Sequence, residues 1–234
     1  MIFKRIIPIL LLLVNYGYSQ SGSVTYVVES IKTDNLDSPL VIGLNKELPL
    51  KSFELIYNGQ FSFFKKNKNI PINKTHSVMA DIMIEAKNNW FQNTLANEAV
   101  SEKRIKGVLF NVNHDNMIGW ELSDETKIIE NYVCYKAVRK QLNKRASVGK
   151  VKKYIIYEAW YTPDIPMSFG PVGNGGLPGL ILQLEKLNIA RYTAKKIILN
   201  KKKNIKIPRP KASSNITVDK MVKLMRKARK VTVD

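Results

Sequence analysis

Few residues of this chain stand in patterns that do chemistry, and the spacings of most of those patterns fail. Ser168 lies in Pro166-Met167-Ser168-Phe169-Gly170, whereas a nucleophile elbow needs glycine two residues before the serine, between a strand and a helix. Its only available bases are His76 and His114, each on a polar segment. Glu158 and Asp164 flank a long loop and are the acid pair a hydrolase would use. Solvated carboxylates at strand ends are the far commoner account of such residues. His76, His114, Cys134, Met79 and Met83 are soft ligands suited to Cu(I), yet they match no metal-site spacing. The methionines are expected to pack, the histidines to be exposed, and no cofactor is expected. Gly179 is followed by Leu180-Ile181-Leu182, a strand pattern, so no phosphate-cradling Gly-Lys-Ser/Thr opens a helix there. A dinucleotide fingerprint starting at Gly173 and Gly175 would need its third glycine where Pro178 stands.

The residues that stand out instead fix shape. Between Pro163 and Gly179 lie Pro163, Pro166, Pro171 and Pro178 with Gly170, Gly173, Gly175, Gly176 and Gly179. Proline fixes φ and glycine reaches angles other residues avoid, so this loop can hold a definite irregular path. Apolar strand-like runs flank it, Tyr154 to Tyr161 before and Leu180 to Leu184 after.

The other expected elements are hairpins. Val24, Tyr26 and Val28 set the period of a first mature strand. Phe53, Leu55 and Tyr57 lead through Asn58-Gly59 to Phe61 and Phe63, the signature of a two-residue hairpin turn. A second hairpin is expected from Val108–Val112 and Met117–Leu122 around His114-Asp115-Asn116. Residues 78–90 fit a helix or an edge strand, 123–130 a charged turn, 132–138 a strand and 139–153 a basic turn. The return strand after the glycine loop is 180–185, paired with 189–199. Successive hairpins with few helices indicate a mostly β, α+β domain built on a meandering antiparallel sheet.

At 234 residues, with 44% apolar and 24% charged side chains, the chain suits one core. Of its formal charge of +19, the segment from Lys195 onward holds 14 Lys and Arg against Asp219 and Asp234. Residues 200–214 form a Lys/Pro/Ser linker. After it Thr217 suits an N-cap, and Met221, Val222, Leu224, Met225 and Ala228 mark an apolar stripe on a basic helix. Lys4 and Arg5, the run Ile6 to Val14, and Gly17 and Ser19 read as a signal peptide over residues 1–19, leaving Gln20 as the first mature residue. The mature chain divides into a β-rich domain, 20–199, and the basic segment 200–234. Cys134 is the only cysteine, which rules out an internal disulfide, and its apolar run predicts a buried, inert thiol.

Two blocks resemble one family. Trp120-Glu121-Leu122, Glu125-Thr126-Lys127-Ile128, Tyr132, Cys134, Lys136 and Ala137 look like its first block. Trp160-Tyr161-Thr162, Ile165-Pro166, Gly170-Pro171 and Gly176-Leu177-Pro178-Gly179-Leu180-Ile181 look like its second. This is the GLPGLI family of exported proteins of Gram-negative bacteria, which lends no catalytic residue. The resemblance implies a curved, half-barrel-like sheet similar to those of periplasmic lipoprotein carriers, in the periplasm, at the outer membrane or released. The expected function is non-enzymatic binding of a lipid, peptide or other apolar or amphipathic ligand. Its rim or lid would be Trp160, Tyr161, Asp164, Ile165, Pro166, Gly170, Pro171, Gly176, Leu177, Pro178 and Gly179. The alternative is an interaction protein whose basic tail docks an anionic membrane surface or an outer-membrane protein. Nucleic acid is not the expected partner, and a hydrolase is the third reading.

Overall fold

The computed structural model describes residues 21–29, 38–147, 151–199, 205–212 and 214–230; the expected signal peptide lies outside them. The strands are β1 (Ser21–Glu29), β2 (Ser52–Asn58), β3 (Phe61–Lys66), β4 (Trp90–Asn93), β5 (Glu98–Ile105) and β6 (Val108–His114). They continue as β7 (Glu121–Ile129), β8 (Tyr132–Leu142), β9 (Tyr154–Thr162), β10 (Leu180–Lys186), β11 (Ala190–Leu199) and β12 (Asn215–Thr217). Three helices accompany them: α1 (Pro39–Glu47), α2 (Lys74–Met83) and α3 (Val218–Lys230).

All twelve strands belong to one sheet, in the order β12-β6-β5-β4-β3-β2-β1-β11-β10-β9-β8-β7. That order forces curvature. β6 and β7 are consecutive in the chain but stand ten strand spacings apart, about 48 Å if the sheet were flat. The seven Cα steps from His114 to Glu121 reach at most about 25 Å. The sheet therefore rolls until its two ends approach, and residues 115–120 bridge the seam between them.

Inside the roll, alternate residues of the central strands form the core: Val24, Tyr26 and Val28 of β1 and Phe53, Leu55 and Tyr57 of β2 are all buried. Phe53 stacks on Phe64 at 5.2 Å, and Tyr26 donates to the Ile181 carbonyl at 2.6 Å, tying the sheet to the end of the glycine loop. A second, smaller core joins Ile105 and Val112 of β5 and β6 to Ile216, Met221 and Val222. The apolar stripe of α3 thus packs on the sheet, while Lys223, Arg226 and Lys227 stay exposed. Thr217 caps α3, its Oγ1 accepting from the Lys220 N–H at 3.3 Å.

Several expectations change. The hairpin of β2 and β3 forms, but Asn58 pairs with Phe61, so Gly59 and Gln60 are its central residues and only Gly59 has positive φ, 55°. The second expected hairpin does not exist: β6 pairs with β5 across Lys106-Gly107, both at positive φ, and with β12 in parallel. Residues 123–129 are strand, not turn; β7 ends in the tight turn Glu130-Asn131, both again at positive φ. β8 runs on to Leu142, which moves Arg139 out of the expected basic turn. Residues 78–90 take in the end of α2, a turn over 84–89 and the first residue of β4.

Helix α1 went unforeseen, opened by Pro39 in the first turn where its missing N–H costs nothing. It crosses α2 so closely that a Cβ on Gly43 would sit 2.2 Å from His76 Nδ1. Lys51, fully buried, pairs with Asp81 of α2 at 2.7 Å and donates to Ser77 Oγ at 2.8 Å; Lys66 pairs with the same carboxylate at 2.7 Å. Asp81 thereby fastens α2 to the sheet.

Candidate functional site

The glycine loop is a plug. Ile165, Phe169, Val172 and Leu177 point into the main core, joined by Trp160 and Tyr161 of β9. Asp164, Pro166, Gly176 and Pro178 are exposed, whereas Gly170, Pro171 and Gly179 are buried. Each part of the last motif has a packing reason. A Cβ on Gly176 (φ 79°) would lie 1.8 Å from the Met117 carbonyl oxygen, and one on Gly179 would lie 2.1 Å from that of Thr162. Leu177, Leu180 and Ile181 are core residues. The apolar side chains expected to line a hollow therefore fill it.

A polar network fixes this plug to the seam. Asn174 Nδ2 donates to the Pro171 and Val172 carbonyls, and Gln92 Nε2 donates to the Asn174 carbonyl at 2.9 Å. Asn116 Nδ2 adds a bond to the Val172 carbonyl at 3.2 Å, and Trp120 Nε1 donates to the Gly175 carbonyl at 2.9 Å. These bonds hold Val172 at φ 55°, ψ 37°, a conformation a β-branched residue takes only when its surroundings impose it.

At the centre of the network stands Arg139. It is 3% exposed and donates through Nη1 to the Asn116 carbonyl and through Nη2 to Asn174 Oδ1. Its guanidinium lies 4.6 Å from the Trp120 ring centre and 5.0 Å from that of Tyr157, and Nε is buried without a partner among the described residues. Burial lowers its pKa to about 10, only partly offset by Tyr157 and Asp115.

Arg139 also forms part of the wall of a cavity of about 540 Å³ at the seam. The side of the seam at β6 supplies His114 and the bridging residues Asp115, Asn116, Ile118 and Gly119; β8 supplies Arg139 to Leu142. Ile82 of α2 and Glu85 in the turn after it, Ile155 and Tyr157 of β9, Lys186 of β10, residues 143–146, and Val218 and Met221 of α3 complete it. None of the eleven loop and rim residues expected to hold ligand lines this cavity.

The wall mixes exposed apolar side chains, Ile82, Ile118 and Leu142, with charge. Glu85 pairs with Lys186 at 3.2 Å; burial opposes its ionisation, but Lys186, His114 and Arg145 outweigh that and hold its carboxyl below the usual range. Burial, helped by Arg145 and Lys103 and opposed by Glu85 and Asp115, pushes His114 down to about 4, so the ring is neutral at neutral pH. His114 Nε2 lies 2.8 Å from Ser101 Oγ, and its ring packs against Trp90. It is half-buried rather than exposed.

The remaining chemical candidates do not assemble. Ser168 bonds neither histidine among the described residues; its carbonyl accepts from the Gly176 N–H at 3.0 Å. Glu158 accepts from Trp160 Nε1 at 2.8 Å and pairs with Lys136 at 3.5 Å, while Asp164 is exposed. Among the described residues no three of His, Cys, Asp or Glu gather to hold a metal. Cys134 is fully buried, and burial raises its thiol to about 11, an unreactive state.

Residues 139–183, a minority of the chain, match the model of a family described as a protein of unknown function, Porph_ging. That stretch contains Arg139 and the whole loop. No curated protein matches the chain. Among solved structures, two crystal forms of PNGF-II share its fold, each with a TM-score of 0.54 and 16% identity over 90% of this chain. The match covers 34% of PNGF-II, so the chain spans about a third of that protein's length and the likeness speaks for the fold alone. LprF from Mycobacterium bovis is matched at a TM-score of 0.29 and 10% identity, over 83% of this chain and 90% of LprF, too loose an overlay to carry an argument.

Proposed function

We propose that the protein binds a small apolar or amphipathic molecule in the seam cavity and acts as a non-catalytic binding or carrier protein of the cell envelope. The observation that carries this reading is the cavity itself. Its volume of about 540 Å³ falls in the range of small-molecule sites, about 300–1,000 Å³, and its wall combines exposed isoleucine and leucine with a few fixed polar groups. Two of those polar groups are held in place, Glu85 by its pair with Lys186 and His114 by its bond to Ser101 Oγ. Membership of the GLPGLI family and export through residues 1–19 belong to the same proposal.

Native mass spectrometry of the protein purified from its own host tests it, with Ile155→Trp made to fill the cavity. The expected result is a retained small molecule on the wild type that is absent from the variant. A bare wild type, or the same adduct on both proteins, overturns the reading.

A second reading rests on a different surface. β7 is an edge strand that leaves Leu122 and Ile128 exposed, a template for pairing with a protein partner. The basic tail is a weaker docking element than its sequence suggests, since the apolar stripe of α3 is already packed on the sheet.

A further inference from the structure

The charges around the cavity do not balance. Five cations line it, Arg139, Lys140, Lys144, Arg145 and Lys186, against the carboxylates of Glu85 and Asp115. Lys186 is taken by Glu85, and Lys144 by Asp219 from α3 at 2.7 Å. Among the described residues Arg139, Lys140 and Arg145 form no ion pair; the carboxylates that share the cavity with them are Asp115 and Glu85, the latter already paired. Lys140 rests on the Tyr154 ring at 4.6 Å. Neither arginine has a carboxylate partner among the described residues: Arg139 donates to neutral oxygens, and Arg145 reaches only Met221 Sδ at 3.8 Å.

A buried guanidinium without a counter-charge is costly, because its water has been replaced by dipoles alone. Such an arrangement is stabilised when an anion enters. Arginine is the side chain whose planar fork suits carboxylate and phosphate, and charge-assisted bonds of that kind are about twice as strong as neutral ones.

We propose that the cavity selects amphipathic anions, binding a carboxylate or phosphate head through Arg139 and Arg145 while the tail lies along Ile82, Ile118 and Leu142. This rests on the ligand-binding reading above and narrows it to a chemical class. The division of labour follows from burial: Arg139 is a fixed buried wall, and Arg145, exposed and also lining the cavity, can close on the head group. The rest of the wall explains why an anion rather than a cation would be taken. His114 stays neutral, and Glu85 is neutralised by Lys186.

The test measures affinity of the intact protein for three probes of equal chain length, decanol, decanoate and decyl phosphate, in the wild type, Arg145→Gln and Lys223→Gln. Arg145 is exposed, so its replacement should leave the fold intact, which near-UV circular dichroism checks. Lys223 is an exposed cation of α3 outside the cavity wall. Both anions should bind roughly tenfold tighter than decanol, the gain expected when a neutral bond to the head group becomes charge-assisted. That advantage should shrink in Arg145→Gln and persist in Lys223→Gln. The order of decanoate and decyl phosphate then identifies which head group the site prefers. Equal affinity for all three probes, or equal loss in Lys223→Gln, overturns the selection of anions while leaving an apolar site standing. Failure of all three to bind overturns the cavity reading itself and this inference with it.

Discussion

Two regions of the molecule that lie side by side differ in almost every respect. The loop 163–179 is irregular, rich in proline and glycine, and as dry as the strands around it, with Ile165, Phe169 and Leu177 each at most 1% exposed. The seam cavity is built from helix ends, strand ends and short connections, and it holds mixed charge and open volume. The first region has the memorable sequence and no room for a guest; the second has the room and no motif. Shape-fixing residues therefore mark where the backbone must be held, and the site lies next to what they hold, joined to it by Arg139 and Asn116.

The comparison is sharpest where the two regions should respond oppositely to mutation. Leu177→Ala in the plug should cost about 2–5 kcal/mol, seen as a lower urea midpoint, because a fully packed site collapses poorly around a deleted side chain. Asp81→Ala should cost a comparable 3–5 kcal/mol, about the penalty for leaving a partner such as buried Lys51 unpaired. Acid should act through the cavity wall. His114 is held neutral with its pKa lowered from 6.5 to about 4, so the unfolded chain takes up its proton first and stability falls as pH drops from 6.5 towards 4. The loss is at most about 3 kcal/mol, and His114→Gln should remove that part of the slope in urea titrations at stepped pH. The smallest effect on stability is expected from Ile118→Ser and Leu142→Ser, within about 0.5 kcal/mol since both are exposed, although each should weaken decanoate binding. A strongly destabilised Leu142→Ser with unchanged binding would erase the distinction between plug and site.

Part of the sheet is legible because alternation is a direct consequence of strand geometry: β1 and β2 keep their apolar period, whereas β9 and β10 show as apolar runs between turn residues. Alternation does not say which strand is the neighbour, so the expected pairing of 108–112 with 117–122 fails: β6 lies between β12 and β5, far from β7 in the sheet order. Residues 123–129 resemble a charged turn because β7, an edge strand exposed along most of its length, has little apolar period to show. In the turn after Asn58, positive φ is needed only at Gly59, which shifts the hairpin by one residue from the Asn-Gly pattern.

The site was harder to see. Arg139 sits among Lys140, Lys144 and Arg145, and that basic neighbourhood resembles a solvated turn. The available signal was phase, since Ala137, Arg139 and Gln141 occupy alternate positions of one strand and Ala137 is apolar. His114 and Asn116 carried no signal, because their burial depends on a seam that exists only once the sheet has rolled.

Hydrogen–deuterium exchange of the intact protein with and without decanoate tests the central claim, that the guest lodges at the seam while the glycine loop is structural packing. Binding should slow exchange at residues 114–119 and 139–146, and leave residues 165–179 slow in both states. Protection centred on residues 163–179, with the seam unaffected, would contradict the account and return the site to the loop.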